Sequence, residues 1–289
     1  MPSPNPHPSP PHKTQATLTS SLFLFSILPT LASFTYTHPH AQPTTTPDPP
    51  TTIKLLCPAI GYTEIYLHRS QVNTKAQLLT HNLLPTTPIP RAPKKLHLLL
   101  PSPTSLHKII RRQFTIPLLL PWGSLNAFPH LIHILHQAQP YKKFMLNPHP
   151  PHDPKLLQLK NSLLLQTALT SIPPYLSYSD DPLIAHLTLP QAIAQFTIAD
   201  SNTSYTLLHQ NNTFTIYPTH TPHTPSPTPS LPRVQVQFKT SHIAHAALTQ
   251  QLDTSTAILN QQISLTGLIP FAQALHTIML RTHTYLTTT

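Results

Sequence analysis

Three glycines, Gly61, Gly123 and Gly267, are all that a chain of 289 residues contains. That scarcity excludes a collagen-like repeat. It also excludes the phosphate cradles of P-loop and dinucleotide-binding folds, which need clustered glycines where the backbone approaches the phosphate. The single cysteine, Cys57, excludes an internal disulfide and any paired-cysteine zinc motif, so packing must hold the fold. Charged residues make up 8% of the chain and hydrophobic residues 39%, the reverse of a solvated disordered chain. Carboxylates are few: Glu64 is the single Glu, and Asp153, Asp180, Asp181, Asp200 and Asp253 stand mainly in turn-like contexts. A GxSxG element is also absent. The sequence therefore assigns no catalytic residue, no metal ligands and no cofactor.

Proline and histidine are abundant, at 38 and 21 residues. Both can be encoded without guanine, as can Thr, Gln, Leu, Asn, Ile and Ser, whereas Gly, Val, Glu and Trp cannot. The composition reads as a guanine-poor coding strand, on which Asn and Ser take over turn positions that Gly usually holds. His149 and His152 beside Asp153 could form an acid–base or metal cluster, but they lie in a Pro-bound loop and read as structural. His220 and His223 lack metal-ligand spacing on a regular element.

Residues 18–34 form an apolar run near the lower limit for a membrane span, interrupted by Pro29 and preceded by Lys13. The run reads as a signal-like or anchor segment, and residues 37–52 read as an extended Pro/Thr linker. The expected organisation is a signal/anchor segment with linker over 1–52, a basic domain over 53–175 and a second domain over 180–289. In the basic domain, strands are predicted at 53–57, 95–100, 115–120 and 141–146, and helices within 64–84, 105–113, 125–137 and 155–169. This alternation predicts an α/β domain with a parallel sheet.

The last part is patterned more sharply. Phe196 and Ile198, Tyr205 and Leu207, then Phe214 and Ile216 alternate with polar neighbours, separated by Asp200-Ser201-Asn202 and Asn211-Asn212. That predicts a three-strand meander over 194–217. After an irregular loop at 219–232, residues 233–239 place Val234, Val236 and Phe238 opposite Arg233, Gln235, Gln237 and Lys239, an antiparallel strand with one wet face. Ser241 is expected to cap a helix bearing Ile243, Ala247 and Leu248. A strand at 262–267 then presents Ile263 and Leu265 and closes at Gly267. Pro270 opens a last helix with Phe271, Leu275, Ile278, Met279 and Leu286 on one stripe.

This order, clearest over residues 233–280, resembles the lipid-binding domain of the sterol carrier protein type 2 family. Asn260-Gln261-Gln262 stands where that family has a Gly-containing turn. The resemblance implies an α+β domain with a mostly antiparallel five-stranded sheet and helices around an apolar tunnel for a sterol, fatty acyl or isoprenoid ligand. The implied wall residues are Phe196, Ile198, Leu207, Phe214, Ile216, Val236, Phe238, Ile263, Leu265, Phe271, Leu275, Ile278 and Met279. Burying a lipid chain contributes roughly 0.8 kcal/mol per methylene, so such a wall needs apolar surface and no chemistry. The same side chains packed on each other would make a closed core, and the sequence does not separate the two.

Charge is unevenly placed: residues 1–179 carry 14 basic and 3 acidic residues, and residues 180–289 carry 3 basic and 4 acidic. Lys94, Lys95, Lys108, Arg111, Arg112, Lys142 and Lys143 lie beside apolar runs, which suits an anionic membrane surface at about 1 kcal/mol per basic residue. No aromatic-rich motif accompanies them, so no nucleic-acid partner is expected. The expected function is lipid binding or transfer near a membrane. The alternatives are an enzyme or accessory subunit of lipid or quinone metabolism with a catalytic N-terminal domain, and a structural module with a filled core.

Overall fold

The computed structural model describes residues 15–41, 50–57, 59–68, 71–78, 94–100, 102–110, 120–123, 128–201, 203–219 and 231–288. Gln15–Thr37 is one long helix, made of α1 (Gln15–Leu22), a π-helical turn (Phe23–Ile27) and α2 (Leu28–Thr37). The π turn ends just before Pro29, whose ring would meet the carbonyl four residues back in a regular helix. The wider turn lets the helix pass through the proline.

Next come β1 (Thr51–Cys57), β2 (Gly61–His68), β3 (Gln71–Leu78), β4 (Lys94–Leu99), α3 (Pro103–Ile110), β5 (Leu120–Gly123), α4 (Phe128–His136) and α5 (Ala138–Leu146). The C-terminal half holds α6 (Pro154–Thr170), α7 (Ile172–Tyr178), α8 (Pro182–Ala185), β6 (Ala192–Ile198), β7 (Ser204–Gln210) and β8 (Thr213–Pro218). It closes with β9 (Arg233–Phe238), α9 (Ser241–Leu248), α10 (Thr254–Leu259), β10 (Ile263–Gly267) and α11 (Ile269–Thr288). Two five-stranded sheets result, ordered β3-β2-β1-β4-β5 and β10-β9-β6-β7-β8. In each, a meander of three antiparallel strands is followed by a crossover to a strand parallel to the first. The architecture is α+β in both halves.

This corrects the reading of residues 53–175. The sheet is mixed, not parallel: β1 and β4 are its one parallel pair among the described residues. The helix expected within 64–84 is replaced by β2 and β3. Ile65, Tyr66 and Leu67 are all buried, and pairing of β2 with β1 and of β3 with β2 decides the strand over the helix-like content. The strand expected at 141–146 is helix α5, where Tyr141 and Met145 are buried one turn apart. Residues 115–119 of the expected third strand lie outside the described residues, and the strand itself is Leu120–Gly123.

The apolar run at 18–34 lies in the core. The helix carrying it is long and apolar enough to cross a membrane, yet 72% of its most apolar window is buried in the fold. Leu22, Leu24, Phe25, Leu28, Leu31 and Phe34 are almost wholly inaccessible. They pack among α3, α6, α7 and the first sheet, so the helix sits where the two halves meet.

Glycine scarcity is met at the turns as the sequence suggests. Asn211 and Asn212 both take left-handed backbone angles, φ 51° and 56°, in the two-residue turn joining β7 to β8. Gln261 does the same at φ 55° in the turn before β10. The scarce carboxylates are used locally. Asp153, Asp181 and Asp253 accept backbone N–H groups at the starts of α6, α8 and α10, and Asp200 accepts Ser241 N and Oγ at 2.8 and 2.6 Å. Thr240, not Ser241, caps α9 with its side chain. Glu64 pairs with Lys54 at 3.0 Å across β1 and β2.

Candidate functional site

Residues directly opposite one another on neighbouring strands share a face, so register places the expected ligand wall. In the second sheet, Ile216 lies opposite Leu207, Leu207 opposite Ala194, Phe196 opposite Val236 and Val236 opposite Leu265. One step along, Ile198 lies opposite Phe238, and Phe238 opposite Ile263. All the expected strand positions thus project from one face. The other face carries Gln195, Gln235 and a chain of hydroxyls from Thr197 through Ser204 and Thr219 to Thr206, linked at 3.0–3.1 Å. Pairing Val236 with Phe196 and Leu265, and Gln235 with Gln195, is what strands of period two impose.

Helices α6, α9 and α11 pack in the same half, bringing Phe271, Leu275, Ile278 and Met279 to this apolar layer. Phe196, Ile198, Leu207, Phe214, Phe238, Ile263, Phe271, Leu275 and Ile278 are buried. Ile216, Val236, Leu265 and Met279 are half-buried at the margin of the same cluster. Val236 and Leu265 are neighbours in register, so the cover thins over β9 and β10.

Where α6 meets α9, the fold buries polar groups that the sequence did not single out. Lys160 is inaccessible and donates to the carbonyls of Asn147 and His149 at 2.6 and 3.3 Å. Burial lowers its ammonium to a pKa of about 8. Asn161 donates to Ser241 O at 2.8 Å. His245, one turn along α9 from Ser241, is also buried. Neither Asn161 Oδ1 nor His245 Nε2 has a hydrogen-bond partner among the described residues. Burial, with the positive charge of Lys160 and the nearby His242, lowers His245 to a pKa of about 4.

His245 therefore makes stability depend on pH. Between about 6.5 and 4, the unfolded chain binds a proton that the folded chain refuses. Stability should fall on acidification through that window by up to about 1.4 kcal/mol per pH unit. Denaturant unfolding at several pH values checks this, and His245→Gln should flatten the slope.

A cleft of about 600 Å³ opens between the end of α2, the first turns of α6 and the edge of β7 and β8. Thr37, Lys155, Leu159, Ser162 and Tyr205 line it, and Tyr205 Oη lies 3.0 Å from Ser162 Oγ. This cleft is lined by none of the thirteen expected wall residues. His149 and His152 are exposed in the loop before α6, and the described residues hold no group of three or more potential metal-ligating side chains. His220 and His223 lie outside the described residues.

Of the expected membrane-facing residues, Lys142 and Lys143 are exposed on α5, Lys94 and Lys95 begin β4 and Lys108 lies on α3. Arg111 and Arg112 lie outside the described residues. Exposed Ile132, Leu135 and Leu146, at 52%, 40% and 48%, share the outer side of α4 and α5 with Lys142. Leu131, Ile134, Tyr141 and Met145 form the buried side.

No family model matches the chain, and no curated protein matches it. Among solved structures, the stereoselective inverting sec-alkylsulfatase Pisa1 from Pseudomonas sp. is similar to 61% of this chain, at 13% identity and a TM-score of 0.24. The matched part spans 36% of that chain's length, and a likeness at this score assigns neither fold nor function.

Proposed function

We propose that the C-terminal half binds an apolar ligand, a sterol, fatty acyl chain or isoprenoid, and carries it at or near an anionic membrane surface. The observation that carries this reading is the largely apolar inner face of the second sheet, interrupted by His209 and the Tyr205 hydroxyl on β7, with its cover thinned at Val236 and Leu265 beside Met279. A ligand entering there would extend an apolar layer already assembled from five strands, each buried methylene contributing roughly 0.8 kcal/mol. Exposed aliphatic side chains interleaved with Lys142 and Lys143 on α4 and α5 suit an interfacial surface, where apolar burial and attraction to anionic lipid act together.

The test is native mass spectrometry of delipidated full-length protein exposed to oleic acid, cholesterol or a short polyprenol. Wild type should take up one of the three, and Val236→Trp, which fills the thin place, should lose it with the melting transition retained. No uptake of any probe, or uptake unchanged in a folded Val236→Trp/Leu265→Trp protein, sinks the reading.

A further inference from the structure

We infer that the chain is a tandem duplication folded as an internal dimer. Residues 15–146 and 154–288 are two copies of one unit, and each copy is the other's partner through the same surface. The identical order and direction of the two sheets is the first observation. Each sheet follows a long helical segment, Gln15–Thr37 or α6–α7, and each ends in a helical segment, α4–α5 or α11.

The correspondence reaches single residues. In the first sheet Leu96 lies opposite Gly123, and in the second Val234 lies opposite Gly267, so two of the three glycines in the chain close equivalent strands. His107 and His245 are each the fifth residue of the helix that follows the crossover strand. Ser20 Oγ donates to Pro103 O at 2.7 Å, and Asn161 Nδ2 donates to Ser241 O at 2.8 Å. Both bonds tie the long helix to the first residue of its own α3 or α9. The ring pair Phe34–Phe144, 5.4 Å between centroids, is matched by Tyr175–Tyr285 at 6.4 Å.

Between the copies, the contacts are isologous, as a two-fold axis requires. Ser26 and Thr167 are 141 residues apart and meet at that axis, with Ser26 Oγ donating to Thr167 O at 2.9 Å. The same separation turns Thr19 into Lys160, Ser20 into Asn161, Phe34 into Tyr175 and Phe144 into Tyr285. Thr19 Oγ1 lies 2.7 Å from Tyr285 Oη across the interface, and its counterpart Lys160 stands 5.6 Å over the ring of Phe144. Beside the axis, Thr170 Oγ1 donates to Ser26 Oγ at 3.2 Å and Thr167 Oγ1 to Thr30 Oγ1 at 3.3 Å, a near-symmetric pair one residue out of the 141-residue register. In the Thr19–Tyr285 and Lys160–Phe144 contacts, residue i of one copy thus meets residue j of the other in both directions. The kind of partner this helix face fits is a second copy of the unit, and in this chain the partner is covalently attached.

Nothing at the axis forbids pairing of like with like. The meeting residues there are small hydroxyl side chains in both copies, and in a pair of C-terminal copies Lys160 would face the Tyr285 hydroxyl. The test uses full-length protein carrying a protease site between Pro151 and His152, in the exposed connection, and cut only after folding. The halves should stay together as one native species. After mild denaturant and return to buffer, a new species of two C-terminal halves should appear in native mass spectra. Thr167→Cys reports the face used. In a like pair the two sulfurs meet at the axis and oxidation links them, whereas in the original pair position 167 faces Ser26. Halves that part on cutting, that recombine only with their unlike partner, or that form like pairs not linked through position 167 overturn the inference.

Discussion

Leu28→Asp is expected to abolish cooperative folding of the entire chain. Leu28 is wholly inaccessible within the helix Gln15–Thr37, whose neighbours include α3, α6, α7 and the first sheet. An aspartate there would bury a carboxylate with no cation supplied to pair with it, at a cost of several kcal/mol. Domains of this size have total stabilities of only about 5–15 kcal/mol. Because the helix contributes to the contact between the halves, the loss should reach both. Gln15→Asp, exposed at the N-terminus of the same helix, should be neutral or slightly stabilising. Circular dichroism melts and limited proteolysis of the two variants check the contrast. The outcome also separates two roles for the apolar run. A segment used only for targeting or anchoring would leave the remainder folded after Leu28→Asp, and that result would show the helix is dispensable to the core.

Gly267→Ala is the second large effect. Gly267 has φ +94°, and a Cβ built there lies 2.1 Å from the carbonyl oxygen of Arg233, inside any allowed contact. That oxygen also accepts Leu268 N at 2.9 Å, so it cannot swing aside without losing a bond that fixes the start of α11. Left-handed strain for a non-glycine residue costs about 1–3 kcal/mol, and the backbone clash adds to it. Equilibrium unfolding should show a loss of roughly 3 kcal/mol or more relative to wild type. Apolar ligand uptake should fall with it, since β9 and β10 carry Val236 and Leu265. A variant within 1 kcal/mol of wild type, on the order of ordinary surface substitutions, would mean that the strand end tolerates a side chain.

Legibility in the sequence followed local periodicity. The strands of the second sheet alternate cleanly, as in Arg233–Phe238, and carry local stop signals at Asn211-Asn212 and Gly267. Those signals act within a few residues, so they could be read without the fold. In the first sheet, Gln71–Leu78 is mostly polar and Gly61–His68 mixes aromatic and charged residues, so neither has a strong period. Their strand character comes from pairing along the meander, β2 with β1 and β3 with β2, and not from the pattern within either strand. Ala138–Leu146 fails for the opposite reason: a short apolar stretch fits a strand or a helix until Tyr141 and Met145 find a surface to bury against.

The candidate wall divides the same way. That Val236, Phe238, Ile263 and Leu265 belong to one apolar surface was legible from alternation. That Phe196 stands opposite Val236 through a parallel pair was not, because the crossover strand could have docked on either edge. Lys160 and His245 carried no signal at all. A lysine in a leucine-rich helix reads as its wet face, and its burial depends on the end of α5 and the following loop, whose Asn147 and His149 carbonyls accept its ammonium.

By itself, the sequence determined where turns fall without glycine and which strands of the second sheet alternate, and it offers neither paired thiols nor clustered glycines. Those are properties of residue type and near spacing. Only the tertiary structure decided that the apolar run at 18–34 is a core helix and that the two halves repeat one topology. An apolar helix has the same composition in a bilayer, in a signal and in a core, and what it buries against is set by segments far away in the chain. The repeat was hidden for the same reason: a shared topology preserves strand order, register and contacts, and these survive after the side chains that made two halves look alike have been replaced.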